Sequence, residues 1–261
     1  MMSYLDINHL KIFLLDNRNV GIPLVFIHGF LGNIGDWFYQ YLHFNPIKHT
    51  IFIDLPGFGR SDKPAINYKL QFYSSILISV IDTLRYNKIY LIGHSFGGMI
   101  AQQIAITRPK IIEKLILIDT TYGFCDSFTD KIKLFFVNLF FNINYKAFLR
   151  AIIRQILSNS VEKNKFKTFY KRALTIPKEV LLSTFKNMTL KSNMKEQLSK
   201  ISAHTLIIHG SRDIIIKKSM VEKMNRLIPS SQVIYIENGP HKTMSINHSE
   251  VNQLIDEFIK N

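Results

Sequence analysis

The stretch Lys88-Ile89-Tyr90-Leu91-Ile92-Gly93-His94-Ser95-Phe96-Gly97-Gly98-Met99-Ile100-Ala101 decides how the rest of the chain is read. Ile89 to Ile92 is a short apolar run of the kind that forms a buried strand. The run stops at Gly-His-Ser-Phe-Gly-Gly and resumes at Met99, Ile100, Ile104 and Ala105 with helical spacing. Ser95 therefore falls on a sharp strand-to-helix bend, with glycines two residues before it and two after. Such a bend crowds the strand end, the helix start and the serine together. A Cβ at Gly93 or Gly97 is expected to clash there. The bend pushes the Ser95 hydroxyl out above the sheet and aims the Phe96 N–H, at the start of a helix, at the same point.

Outward from this bend the chain alternates. Tyr4–Ile7 and Leu10–Asp16 read as an opening hairpin, and Leu24–His28 as a buried strand ending in a glycine-bearing loop. Thr50–Asp54 is a strand, followed by a long turn through Asp62 that Asp54 and Asp62 are expected to brace. Lys69–Arg85 is helical and Lys114–Ile118 is a strand ending at Asp119. From Thr120 to about Lys200 only helical patterns appear. The alternation returns with strands at Thr205–His209 and Val233–Ile236 and helices from Lys217 and Asn247. Strands alternating with helices predict a mainly parallel sheet covered on both faces. Residues 1–119 and 201–261 are read as its core and 120–200 as an inserted helical cap.

The 261 residues are 47% hydrophobic and 20% charged, which suits one α/β domain with an insertion. No basic stretch followed by an apolar one opens the chain, so no signal peptide is expected. Leu134–Ile143 is too short for a bilayer, which takes about 20 apolar residues, so no stable membrane insertion is expected. The single cysteine, Cys125, fits a reducing, cytoplasmic setting. No Cys/His spacing points to a metal. The net charge of +14 is uneven: residues 120–200 hold fifteen basic side chains and five acidic ones, and so ten of the fourteen charges. A lysine-rich solvated surface accounts for this. So does a basic face for an acidic partner, such as an acyl carrier protein, or for an anionic substrate. Nucleic acid is not expected, because no nucleic-acid-binding motif accompanies the charge.

A serine hydroxyl needs a base, and the base needs an orienting acid. Asp213 and His241 lie just past later strands, in Gly210-Ser211-Arg212-Asp213 and Gly239-Pro240-His241, where an open α/β sheet places its ligands. Asp119 and His248 are the competitors for these two roles. His28 and His94 read as structural.

In these motifs, together with His28-Gly29-Phe30 and Asp54-Leu55-Pro56-Gly57-Phe58-Gly59-Arg60-Ser61-Asp62, the chain resembles the α/β-hydrolase-fold serine hydrolases. The resemblance spans nearly the whole chain. It implies a mainly parallel eight-stranded sheet with an inserted helical cap. It implies Ser95 as nucleophile, Asp213 as acid, His241 as base, the Phe30 and Phe96 amides as oxyanion hole, and no cofactor. Relatives that open epoxides or remove halogen use aspartate as nucleophile, so Ser95 implies an acyl-enzyme and a carboxylic ester substrate. Trp37, Phe135, Phe136 and Phe140 are expected to line the pocket, with the cap helix turning its aromatics inward.

The segment from Lys171 to Lys178 is loosely similar to pimeloyl-ACP methyl ester esterases of biotin synthesis, which adds a carrier-bound ester to the candidate substrates. Three further readings stand beside this one. A C–C bond hydrolase or menaquinone-pathway synthase-like lyase needs a cap arginine, Arg150 or Arg154, in the pocket. An interfacial lipase needs Lys131–Leu157 to lie on a membrane. A non-enzymatic receptor keeps only the fold.

Overall fold

The computed structural model describes residues 2–157 and 163–260. Eight strands form one sheet: β1 (Met2–Ile7), β2 (Leu10–Asp16), β3 (Leu24–Ile27), β4 (Thr50–Ile53), β5 (Ile89–His94), β6 (Ile112–Ile118), β7 (His204–Gly210) and β8 (Ser231–Ile236). Their order is β1-β2-β4-β3-β5-β6-β7-β8. The β1–β2 hairpin is antiparallel and joins β4 antiparallel; every pairing from β4 to β8 is parallel. The expected sheet is present.

Alternation along the strands splits the core into two layers. On β3, Val25 and Ile27 face one layer, and Leu24 and Phe26 the other. The smaller layer centres on Phe26, whose ring stacks on Phe52 at 4.5 Å and meets Trp37 at 5.2 Å. It is closed by α1 (Phe38–Phe44) and α9 (His248–Lys260), through Phe44, Val251 and Ile255. The larger layer lies under α2 (Leu70–Leu84), α3 (Phe96–Thr107) and α8 (Lys218–Leu227).

Between β6 and β7 the described residues form α4 (Phe128–Ile143), α5 (Tyr145–Ile156), α6 (Lys163–Leu174) and α7 (Lys178–Lys186), with no named strand. Glu162, counted among the acids of this segment, lies outside the described residues. Phe141, Phe148, Leu149 and Ala173 of these helices join the larger core layer instead of building a separate one. A π-helical turn, Asn187–Lys191, leads out of α7. Among the described residues no helix is long and apolar enough to cross a membrane.

The long turn after β4 is braced as its aspartates foretold. Asp54 accepts from the N–H groups of Ile34 (2.7 Å) and Arg60 (2.8 Å), and Asp62 from that of Lys11 (2.8 Å).

Candidate active site

Ser95 sits between β5 and α3 with φ 52° and ψ −119°, a conformation L-residues rarely adopt. Packing holds it there. A Cβ on Gly93 would lie 2.5 Å from the Gly97 carbonyl oxygen, and one on Gly97 2.3 Å from the Ile27 carbonyl oxygen. These are backbone obstacles, which cannot swing aside as a side chain can. The Ser95 carbonyl accepts from Thr120 Oγ1 (2.6 Å) and from the Gly98 N–H (2.9 Å).

The loops after β7 and β8 bring the other two residues to Ser95. His241 Nε2 lies 3.0 Å from Ser95 Oγ, and its Nδ1 lies 2.7 Å from Asp213 Oδ2. The other Asp213 oxygen accepts from the N–H groups of Ile215 (2.8 Å) and Ile216 (3.0 Å). Burial pushes the Asp213 carboxyl up. The His241 charge, its hydrogen bond and the two amides more than offset this and hold it below the usual range. In this arrangement Nδ1–H donates to the carboxylate and Nε2 is free to accept the serine proton. The N–H groups of Phe30 and Phe96 make no hydrogen bond to another described residue.

The competing residues lie elsewhere. Asp119 is fully buried and braces two loops: Oδ1 accepts from the Gly210 N–H (2.9 Å), and Oδ2 from the Thr243 N–H (3.0 Å) and Oγ1 (2.7 Å). Burial first, and the Asp213 charge second, push its carboxyl up to about 7. His209 Nδ1 lies between the two acids, 3.7 Å from Asp119 and 3.8 Å from Asp213. These three side chains could together hold a metal ion, but both oxygens of each carboxylate already accept hydrogen bonds from protein groups. His248 stacks on Tyr39. His28 Nδ1 donates to the Gly29 carbonyl and Nε2 accepts from the Leu55 N–H. His94 Nε2 donates to the His241 carbonyl at 2.8 Å and so steadies the loop that carries His241.

The pocket above Ser95 is narrow, ≈ 40 Å³. At ~10–15 Å³ per water this is room for about three waters. Phe124, Ile152, Ile156, Phe169, Met188 and Ile215 make its apolar wall. Asp36 and Lys242 add a charged corner. Asp36 Oδ1 lies 3.1 Å from Lys242 Nζ and 2.9 Å from Arg172 Nη2, and both cations lie over the Phe169 ring. Burial works to raise the Asp36 carboxyl, and the two cations hold it far below the usual range.

The expected pocket residues need correcting. Trp37 is fully buried in the smaller core layer, packed on Phe26, and does not line this pocket. Phe135, Phe136 and Phe140 are 57%, 61% and 50% exposed on α4 and do not line it either. The helix turns them outward because Leu134, Asn138 and Phe141 form its packed side. Arg150 and Arg154 are exposed, over the Tyr170 and Phe166 rings, and lie outside the pocket. The cation at the site is Lys242. Its place directly after His241 was the one signal in the sequence that could have marked it.

A parallel sheet that carries a serine on a strained bend, facing an imidazole and a carboxylate from later strand ends, defines the α/β-hydrolase architecture. The profile of the family described as "alpha/beta hydrolase fold" matches residues 22–245, and the chain belongs to that family. It is 28% identical to epoxide hydrolase 4 of Mus musculus over 272 residues, covering 92% of this chain and 74% of that protein. It is 25% identical to the uncharacterized hydrolase YugF of Bacillus subtilis over 254 residues, covering 91% and 89%. In fold it is similar to an esterase from Exiguobacterium antarcticum, with a TM-score of 0.91, 21% identity and full coverage of both chains.

Proposed function

We propose that the protein hydrolyses carboxylic esters through an acyl-enzyme on Ser95. One observation carries this reading: His241 bridges Ser95 Oγ at 3.0 Å and Asp213 Oδ2 at 2.7 Å. His241 takes the hydroxyl proton as Oγ attacks the ester carbonyl. The Phe30 and Phe96 N–H groups hold the oxyanion, a contribution of a few kcal/mol per donor. The C–O bond then breaks, and His241 Nε2–H protonates the departing alcohol. Water, deprotonated by the same imidazole, releases the acid and restores Ser95. Epoxide opening through an ester on the enzyme needs a carboxylate nucleophile, and the residue here is a serine.

The narrow pocket favours short acyl chains. Ser95→Ala is expected to lower kcat on p-nitrophenyl acetate by roughly 10⁴-fold or more. Its circular dichroism and melting temperature are expected to match the parent. Undiminished turnover would exclude the mechanism.

A second reading is favoured by Lys242 in the pocket: a substrate carrying a carboxylate, cleaved at an ester or at a C–C bond by the same three residues. Rates on neutral and carboxylated esters of equal length, in the parent and in Lys242→Met, separate the two. The narrower pimeloyl-carrier ester needs an acidic carrier on the exposed lysines between β6 and β7 and a longer cavity than the one above Ser95. The single cysteine, Cys125, is buried and free, and we place the reaction in the cytoplasm on that ground.

A further inference from the structure

Helix α4 is amphipathic the wrong way round for a helix of a closed core. Its packed side is a narrow strip of Leu134, Asn138 and Phe141, and Asn138 Nδ2 donates to the Leu134 carbonyl and to Thr189 Oγ1. The opposite side carries Ile132, Phe135, Phe136, Leu139, Phe140 and Ile143, at spacings of three and one. These six are 43% to 76% exposed. Phe128, at the first turn, extends the stripe and is 76% exposed. At 1.5 Å per residue the stripe runs ~17 Å from Ile132 to Ile143. Soluble monomers rarely leave so long an apolar strip in water.

The charges beside the stripe name what covers it. Lys131 and Lys133, both exposed, flank it on α4, and Lys146 is exposed just past its end. A second copy would bring these like charges together. A partner recognised by charge alone would leave the phenylalanines in water. An anionic bilayer satisfies both features, with the apolar stripe at the acyl boundary and the basic side chains among the phosphates.

We infer that α4 is a peripheral membrane-docking helix, lying in the plane of an anionic lipid surface. It does not cross the bilayer. Asn144 caps the start of α5, and Ile152 and Ile156 of α5 wall the pocket. Docking therefore holds at the lipid surface the helix on whose packed side α5, and with it one wall of the pocket, rests: Phe141 of α4 stacks on Phe148 of α5 at 4.2 Å. This inference goes beyond the esterase reading and does not need it, because its test reads binding and not turnover.

The test is sedimentation of the full chain with vesicles of phosphatidylcholine alone and of phosphatidylcholine mixed with phosphatidylglycerol. The protein is expected to pellet with the mixed vesicles, less with the neutral ones, and less again as salt rises. Ile132→Ser/Leu139→Ser/Ile143→Ser is expected to lower partitioning by on the order of tenfold or more, with the melting temperature and circular dichroism kept. Lys131→Glu/Lys133→Glu is expected to remove the preference for phosphatidylglycerol. The inference is overturned if the parent pellets with neither vesicle, or if the triple variant binds as the parent does. It is also overturned if light scattering shows a dimer that the triple variant dissolves, or if an acidic carrier protein binds α4 while vesicles do not.

Discussion

Two buried aspartates at neighbouring strand ends do different work, and their partners tell them apart. Asp213 meets the imidazole. Asp119 ties the β7 end to Thr243 by three accepted hydrogen bonds. Asp213→Asn is expected to lower kcat by roughly 10⁴-fold with little change in melting temperature. In Asp119→Asn an amide N–H₂ faces backbone donors, at a cost of about 1–3 kcal/mol in stability. Thermal melts beside steady-state kinetics check this split, and equal effects of the two changes on kcat would argue against it. His94 sets an acid limb. Burial, with the His241 charge second, pushes its pKa from 6.5 down to about 3. Above pH 6.5 neither the folded nor the unfolded chain protonates it. As the pH falls, the unfolded chain takes up a proton that the folded one refuses, so stability is lost between 6.5 and about 3, at about 1.4 kcal/mol per unit. Asp119 works the other way over much of that range, since its raised carboxyl protonates in the folded chain first. Removing His94 isolates its share. His94→Gln, which can still donate to the His241 carbonyl, is expected to melt with a shallower pH dependence between about pH 7 and pH 4. An unchanged slope would count against this assignment.

At the scale of elements, α6 is held over the pocket by charge as well as by packing. Arg172 reaches down to Asp36 (2.9 Å) and Asn33 (3.1 Å), on the loop after β3, while Lys242 approaches Asp36 from the loop after β8. Asp36 is thus the one anion between two cations, and its side chain is 7% exposed. Removing it leaves two positive charges facing each other in a poorly solvated corner. Asp36→Asn is expected to cost about 3–5 kcal/mol in chemical denaturation. Arg172→Met leaves the Asp36–Lys242 pair intact and is expected to cost clearly less. The reverse order would mean that Arg172 packing on Phe169, and not the charge triad, holds α6. None of this was legible from spacing: Asp36, Arg172 and Lys242 lie far apart in the chain, and only closure of the sheet brings them together.

At the scale of the whole molecule, the basic charge and the exposed stripe of α4 share one segment, while the larger core layer runs unbroken from the sheet into the helices between β6 and β7. Those helices are thus anchored to the core from within while keeping an apolar face outside. The proposed membrane docking depends on both at once, the charge of the segment and the outward orientation of α4.

What the chain by itself determined was its local grammar. Short continuous apolar runs bounded by turn residues specify buried strands, and the glycines around Ser95 specify a bend that only they can occupy. The order Ser95, Asp213, His241 placed a hydroxyl, a carboxylate and an imidazole at strand ends. These features rest on sterics and on neighbours a few residues away, which a sequence displays directly. Only the tertiary structure decided which aspartate meets His241, that Trp37 belongs to the smaller core layer, and that Phe135, Phe136 and Phe140 look outward. A stripe at helical spacing marks a face. Whether that face meets protein or solvent depends on what packs behind it, and Leu134, Asn138 and Phe141 took that side.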